Sequence, residues 1–235
     1  MLEKWRRVGI GVFVLFLLAG RARADLILQE GFETVVPAGW TATNNSTKGG
    51  STSWFQGNTG VFTAFSGPDD SYAAANFNNA ADGGDISNWL ISPVVKLSGA
   101  SVLSFRTRST DLPGEAFHDS LEVRVSKKDS TDVGSSFDSL GDFTTVLLAI
   151  NPDFLGGVYA NGWTLYSLSF ADVGFGDTVE GRFAFRYVID DTELHGDYIG
   201  IDSVSLESVP EPGSLFLTGA GLVALAAFSR RRRQA

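Results

Sequence analysis

Side chains able to do chemistry are few in this chain, and their spacing is poor for catalysis. There is no cysteine, which excludes thiol catalysis, disulfides and thiolate metal sites. Two histidines, His118 and His195, leave little room for zinc or haem. His118 directly precedes Asp119, and neighbours on an extended segment point to opposite faces, so the two make a poor acid–base dyad. His195 lies near Asp197, and neither histidine is accompanied by a Gly-x-Ser-x-Gly nucleophile elbow. Both read as loop histidines. Asp69-Asp70 and Asp190-Asp191 are adjacent in sequence, whereas glycosidase acids face each other across a sugar at about 5–9 Å. Beside turn residues these acid pairs read as solvated. No catalytic residue is assigned, and the chain is expected not to be an enzyme.

Calcium is the stronger chemical idea, because it takes six to eight hard oxygens from carboxylates and carbonyls that converge from loops. Glu33 follows the first candidate strand, Asp70 sits in a Gly67-Pro68-Asp69-Asp70 loop, and Asp202 lies on the last strand. These three are the expected ligands of a structural Ca2+, and no EF-hand loop is present. Trp40, Trp54, Trp89 and Trp163 offer either a sugar-stacking platform or core. Trp89 precedes a Leu-Ile run and Trp163 opens a strand, so these two read as core. Trp54 and Phe55, set among Ser, Gln and Asn, are the expected exposed aromatic contact. Asn44-Asn45-Ser46-Thr47 contains glycosylation sequons.

The elements that must carry these residues are strands. Leu121, Val123 and Val125 interleave with Glu122, Arg124 and Ser126; Leu103 and Phe105 with Ser104 and Arg106; Phe183, Phe185 and Tyr187 with Arg182 and Arg186. Period two with one wet face predicts antiparallel strands. Further strands are predicted at 26–29, 72–76, 89–92, 144–150, 164–170 and 198–206, separated by Gly, Pro, Asn and Asp turns. About ten strands in one domain predict an all-β sandwich. On the last strand Ile199 and Ile201 share one parity and Val204 and Leu206 the other, which predicts a β-bulge near Asp202 and Ser203.

The two ends read as addresses. Residues 1–24 have a basic start, an apolar run from Val8 to Gly20, and small Ala22 and Ala24 where a signal peptidase reads, so cleavage after Ala24 is expected. The net charge of −9 hides a split: the first 24 residues carry +4, residues 209–235 carry +3, and the body between them −16. An acidic body makes nucleic acid an unsuitable partner. The C-terminus runs Pro210-Glu211-Pro212, then an apolar stretch, then Arg230, Arg231, Arg232 and Arg233. Gly213 to Ser229 would form a helix roughly 25 Å long, just enough to span a thin bilayer, with the arginines holding the end in the cytoplasm. A short polar motif, an apolar helix and a terminal basic cluster, in that order, resemble the PEP-CTERM sorting signal of Gram-negative bacteria. The resemblance implies an exosortase-type processing partner, a transient inner-membrane intermediate, and delivery to the cell surface or extracellular matrix.

Short segments of the body, taken in order, resemble a second family. Glu30-Gly31-Phe32-Glu33 precedes Pro37-Ala38-Gly39-Trp40; Asn88 to Pro93 precedes Leu97-Ser98-Gly99; Leu121 to Ser126 and Phe143 follow; Phe183 to Tyr187 and Ile201-Asp202-Ser203-Val204 close the domain. This is similar to the choice-of-anchor J or cleaved-adhesin family, a jelly-roll β-sandwich related to MAM domains, over nearly all of 26–207. The resemblance implies a structural metal at matching acids, although the family's closing Ile-Asp-Asp-Val has Ser203 in place of its second acid here. The expected organisation is therefore a signal peptide (1–24), a jelly roll (25–208) and a sorting signal (209–235). The expected function is an exported, non-catalytic adhesive or structural surface protein. The alternatives are a carbohydrate-binding module that retains exopolysaccharide and, last, a secreted hydrolase.

Overall fold

The computed structural model describes residues 24–110 and 116–209. Ala22, the Pro210-Glu211-Pro212 motif, the 213–229 stretch and Arg230 to Arg233 lie outside the described residues. No helix among the described residues is long and apolar enough to cross a membrane.

Twelve strands follow one another with only two 3-10 turns between them: β1 (Asp25–Glu30), β2 (Thr41–Asn44), β3 (Phe55–Gln56), β4 (Ala73–Asn76), β5 (Ile86–Ile91), β6 (Val95–Leu97), β7 (Ser101–Ser109), β8 (Leu121–Ser126), β9 (Thr145–Ile150), β10 (Thr164–Ser169), β11 (Val179–Ile189) and β12 (Tyr198–Ser208). They form two antiparallel six-stranded sheets. The first runs β10-β7-β12-β4-β3, with β1 also on β12; the second runs β2-β5-β11-β8-β9, with β6 also on β11. Every predicted strand is present. The short β2, β3 and β6 are additions.

The core lies between the sheets and is built by the alternating residues. Leu103 and Phe105 of β7, Leu121, Val123 and Val125 of β8, and Phe183, Phe185 and Tyr187 of β11 all enter it. Burying side chains of this size contributes about 1.5–3 kcal/mol each. The predicted bulge is where parity put it. The register of β12 against β7 shifts between Asp202 and Ser205, and Ser203 takes a positive φ of 53°. The shift lets Ile199, Ile201, Val204 and Leu206 all face the core. Asp202, next to core-facing Ile201, lies on the outer face of the first sheet just before the shift.

One expectation needs correction. The outer faces are not simply wet, because each is roofed by a long loop. Residues 57–71 cover the first sheet, where Phe62, Tyr72, Ala74 and Tyr198 form a second apolar cluster. Residues 127–144 cover the second sheet, where Trp89, Ile91, Val133, Phe143 and Ala184 form a third. Arg124 and Arg186, predicted on the solvent side by alternation, are buried beneath this roof.

Candidate functional sites

Strand β1 pairs antiparallel with β12, with Glu30 opposite Val204, so the first and last strands are neighbours. This brings Glu33 and Asp202 to one polar depression of about 490 Å³, lined also by Glu30, Gly31, Ser66 and Gly67. Asp70 does not line it. Its side chain is exposed, and its carbonyl accepts from the Gln56 side chain. The sequence distance of Asp70 from Glu33 gave no hint of this, because the loop turns at Gly67, whose φ is +81°.

Asp202 is fully buried and heavily engaged. One carboxylate oxygen accepts from the backbone N–H groups of Phe65 (2.8 Å) and Ser66 (3.0 Å), the other from the Ser203 N–H and hydroxyl. That occupies the roughly four lone-pair directions a carboxylate has. Burial pushes its pKa up against the opposing pull of these donors. Asp202 therefore clamps the 57–71 roof to the bulge. Glu33 has no hydrogen-bond or ion-pair partner among the described residues, and Glu30 accepts only the Phe32 N–H, at 2.7 Å. All the donors here are hard oxygens, the kind calcium takes and zinc does not prefer. A side chain at Gly31 would press on Glu33 Oε1 at 3.0 Å, so glycine leaves that carboxylate its space. No three His, Asp or Glu side chains among the described residues converge closely enough to hold a metal by themselves. A calcium ion would need Glu33, Glu30 and main-chain oxygens around the charge of Asp202.

The second site is the end of the sandwich where β12 begins and where the loops after β4, β9 and β11 meet the segment before β8. Phe77 and Phe117, 43% and 45% exposed, flank a depression of about 380 Å³ lined by Asp82, Thr192, Glu193, Gly196 and Asp197. Phe117 holds its ring there from a positive φ of 69°, a costly backbone state for a bulky residue. Asp119 secures the base of this end. It is fully buried and accepts from the Tyr187 hydroxyl (2.6 Å), the Asp197 N–H (2.8 Å) and the Tyr198 N–H (3.3 Å). Burial pushes its pKa up to about 7. His195 faces Asp190 at 2.7 Å and stacks on Phe154 at 4.2 Å. These contacts brace the loops.

The aromatic residues are distributed differently from the expectation. Trp54 is buried, with its indole N–H on the Asn88 carbonyl, and Phe55 is half-buried against Tyr198. Trp40 and Trp89 are buried, whereas Trp163, expected in the core, is half-buried against the outer Phe62 cluster with its N–H on the Thr63 carbonyl. Among the described residues the exposed aromatics are instead Phe65, Phe77 and Phe117. Polar neighbours in sequence misplaced Trp54, because Thr52, Ser53 and Gln56 are themselves half-buried and hydrogen-bond inward to Asn79, Asn88 and the Phe32 carbonyl.

Residues 208–233 match the PEP-CTERM protein-sorting motif. The match begins where the sandwich ends. In fold, the body is similar to the K1 cleaved adhesin domain of Lys-gingipain from Porphyromonas gingivalis W83, at 20% identity and a TM-score of 0.54, over 78% of this chain and 99% of that one. The K3 domain of the same protein gives 18% and 0.52, over 78% and 100%. The K2 domain gives 21% and 0.51, over 77% and 98%. The comparison with curated proteins returned no match.

Proposed function

We propose that this is an exported, non-enzymatic surface protein, adhesive or structural, which an exosortase-type enzyme processes at its C-terminal sorting segment. The observation that carries the reading is the junction between fold and motif: β12 ends at Ser208, and the sorting motif match begins at that residue. The sandwich is thus the cargo, and its far end, with Phe77 and Phe117, is the face presented outward. The likeness to cleaved adhesin domains supports a cargo of this architecture. Replacing Pro210, Glu211 and Pro212 together by Ala should leave a membrane-retained form with its arginines intact. Unchanged surface delivery of that variant overturns the reading. A mature N-terminus at Asp25, read by mass spectrometry of exported material, is the companion expectation.

A second reading, binding of exopolysaccharide, is favoured by the depression between Phe77 and Phe117. Apolar rings beside Asp82, Glu193 and Asp197 suit the apolar faces and hydroxyl edges of sugars. A glycan array with the 25–208 fragment, compared with its Phe77→Ala/Phe117→Ala variant, separates this reading from the first.

The Glu33 depression supports a structural calcium ion as the accompanying cofactor. Extracellular modules bind calcium with a Kd of about 10⁻⁴–10⁻³ M. The 25–208 fragment should melt higher in about 10 mM calcium than in chelator, by roughly 2.7 kcal/mol for a Kd near 10⁻⁴ M. Glu33→Gln should remove most of the difference. Equal shifts with calcium and magnesium would reduce the effect to screening of an acidic body.

A further inference from the structure

The end of the sandwich that carries both strand termini differs in character from the rest of the surface. Asp25 of β1 pairs with Ser208 of β12, and Ser208 also pairs with Ser101 of β7. Beyond Ser208, the Val209 N–H donates to the Ala100 carbonyl at 2.8 Å. The chain is therefore tied to the fold through residue 209, with no slack before the sorting motif. Around this point lie Asp25, Ile27, Val94, Val95, Lys96, Ser98 and Thr178, which line one shallow depression with Ser208. Val94, Val209 and the adjoining Leu26 are 40%, 44% and 57% exposed. The charged lining residues are Asp25 and Lys96, and on the neighbouring strands Glu180 stands opposite Lys96 and Glu207 opposite Leu26.

Only Pro210, Glu211 and Pro212 separate Val209 from the apolar stretch that begins at Gly213. Four Cα–Cα steps span at most about 14 Å. The headgroup layer on each side of a bilayer is about 5–8 Å deep. While the tail is in the membrane, this end cannot stand off from the lipid surface by more than about 6–9 Å. We propose that it is a lipid-facing platform: Leu26, Val94 and Val209 seat in the membrane interface during the sorting intermediate, so the Phe77 and Phe117 end points away from the membrane. The inference rests on the reading that the tail spans the membrane before processing.

The absence of cysteine makes the test clean, since each single-cysteine variant has one thiol. Full-length protein carrying Val94→Cys or Leu26→Cys is labelled with an environment-sensitive dye and reconstituted into phosphatidylethanolamine–phosphatidylglycerol vesicles. Leu194→Cys at the far end and Val146→Cys on the flank serve as references. Both labels at the platform should shift to shorter wavelength and be quenched at least twofold by a lipid-borne quencher, while 194 and 146 keep their aqueous values. Vesicle-bound protein with 94 and 26 as aqueous as 194, or with 146 shifted as well, overturns the inference alone. Failure of the protein to float with the vesicles overturns the spanning reading of the tail, and the inference with it.

Discussion

The two roofs of the sandwich solve one problem with different chemistry. Over the first sheet, residues 57–71 are held by rings and hydroxyls. Phe62 stacks on Tyr72 at 5.0 Å, Trp163 meets both edge-on, and the Tyr72 and Tyr198 hydroxyls are 3.0 Å apart. Its one buried carboxylate, Asp202, is satisfied by backbone and hydroxyl donors. Over the second sheet, residues 127–144 close on an ion network. Glu122 receives Arg124 at 2.6 Å and Arg186 at 3.0 Å, and the two arginines reach the Phe143 and Phe137 carbonyls of the roof. A ring cluster tolerates the loss of one contact because its attraction is spread over many atoms. A buried ion network does not, because removal of one member strands the others without solvent.

The largest expected effect follows from that asymmetry. Arg186→Ala leaves the Phe137 carbonyl unpaired and removes one of the two charges on Glu122, and should cost about 3–5 kcal/mol of stability. Urea unfolding measures this, and a loss below 1 kcal/mol would place the network on the exposed side of the balance. Next comes Gly200→Ala under the first roof. A Cβ there meets Phe62, Trp163 and Tyr72 ring atoms at 2.9 Å, so the rings must shift. Overpacking of this kind costs about 1–3 kcal/mol. It should loosen residues 57–71 to proteolysis while leaving 127–144 protected.

Acid should separate the roofs in opposite directions. Burial raises the Asp202 pKa, so the protonated form is favoured in the fold and its contribution to stability grows as pH falls toward the unfolded value of 3.8. For Glu122, burial alone would also raise the pKa, but the hydrogen bonds and charges of Arg124 and Arg186 outweigh it and hold the carboxyl below its ordinary value. Its contribution is present above pH 4.5 and is lost as pH falls through the folded value. Pepsin near pH 3.5 should therefore cut 127–144 before 57–71. On the neutral side, Asp119, pushed up to about 7 by burial, should make the melting temperature rise by several degrees from pH 8 to pH 5. Asp119→Asn should flatten that limb. The smallest effect is expected at Lys128, whose pairing with Asp142 is solvent-exposed. Lys128→Ala should leave the melting curve unchanged.

Sequence alone carries the sheets but not the roofs. Alternation locates β7, β8 and β11, because a core face and an outer face differ in residue type along one strand. It misses β2, β3 and β6, which are two to four residues long, too short for a period to show. The Asp202 bulge is legible because a change of parity on one strand has only one remedy. Burial of Arg124 and Arg186 is not legible, since what covers them is a distant turn-rich segment. At the Glu33 depression, pairing of the first and last strands follows from the fold class. The exclusion of Asp70 depends on one glycine turn that no spacing rule encodes.

The position of β12 gives the tail a mechanical character. It lies between β7 on one side and β4 and then β1 on the other, and it leads straight into the sorting segment. A load applied at the Phe77 and Phe117 end and resisted at the tail runs along β12, perpendicular to its inter-strand hydrogen bonds. Such a pull loads the bonds on both edges together in shear, where an edge strand would offer only one such row. The strand that delivers the protein to its sorting signal is thus also the one built to carry tension.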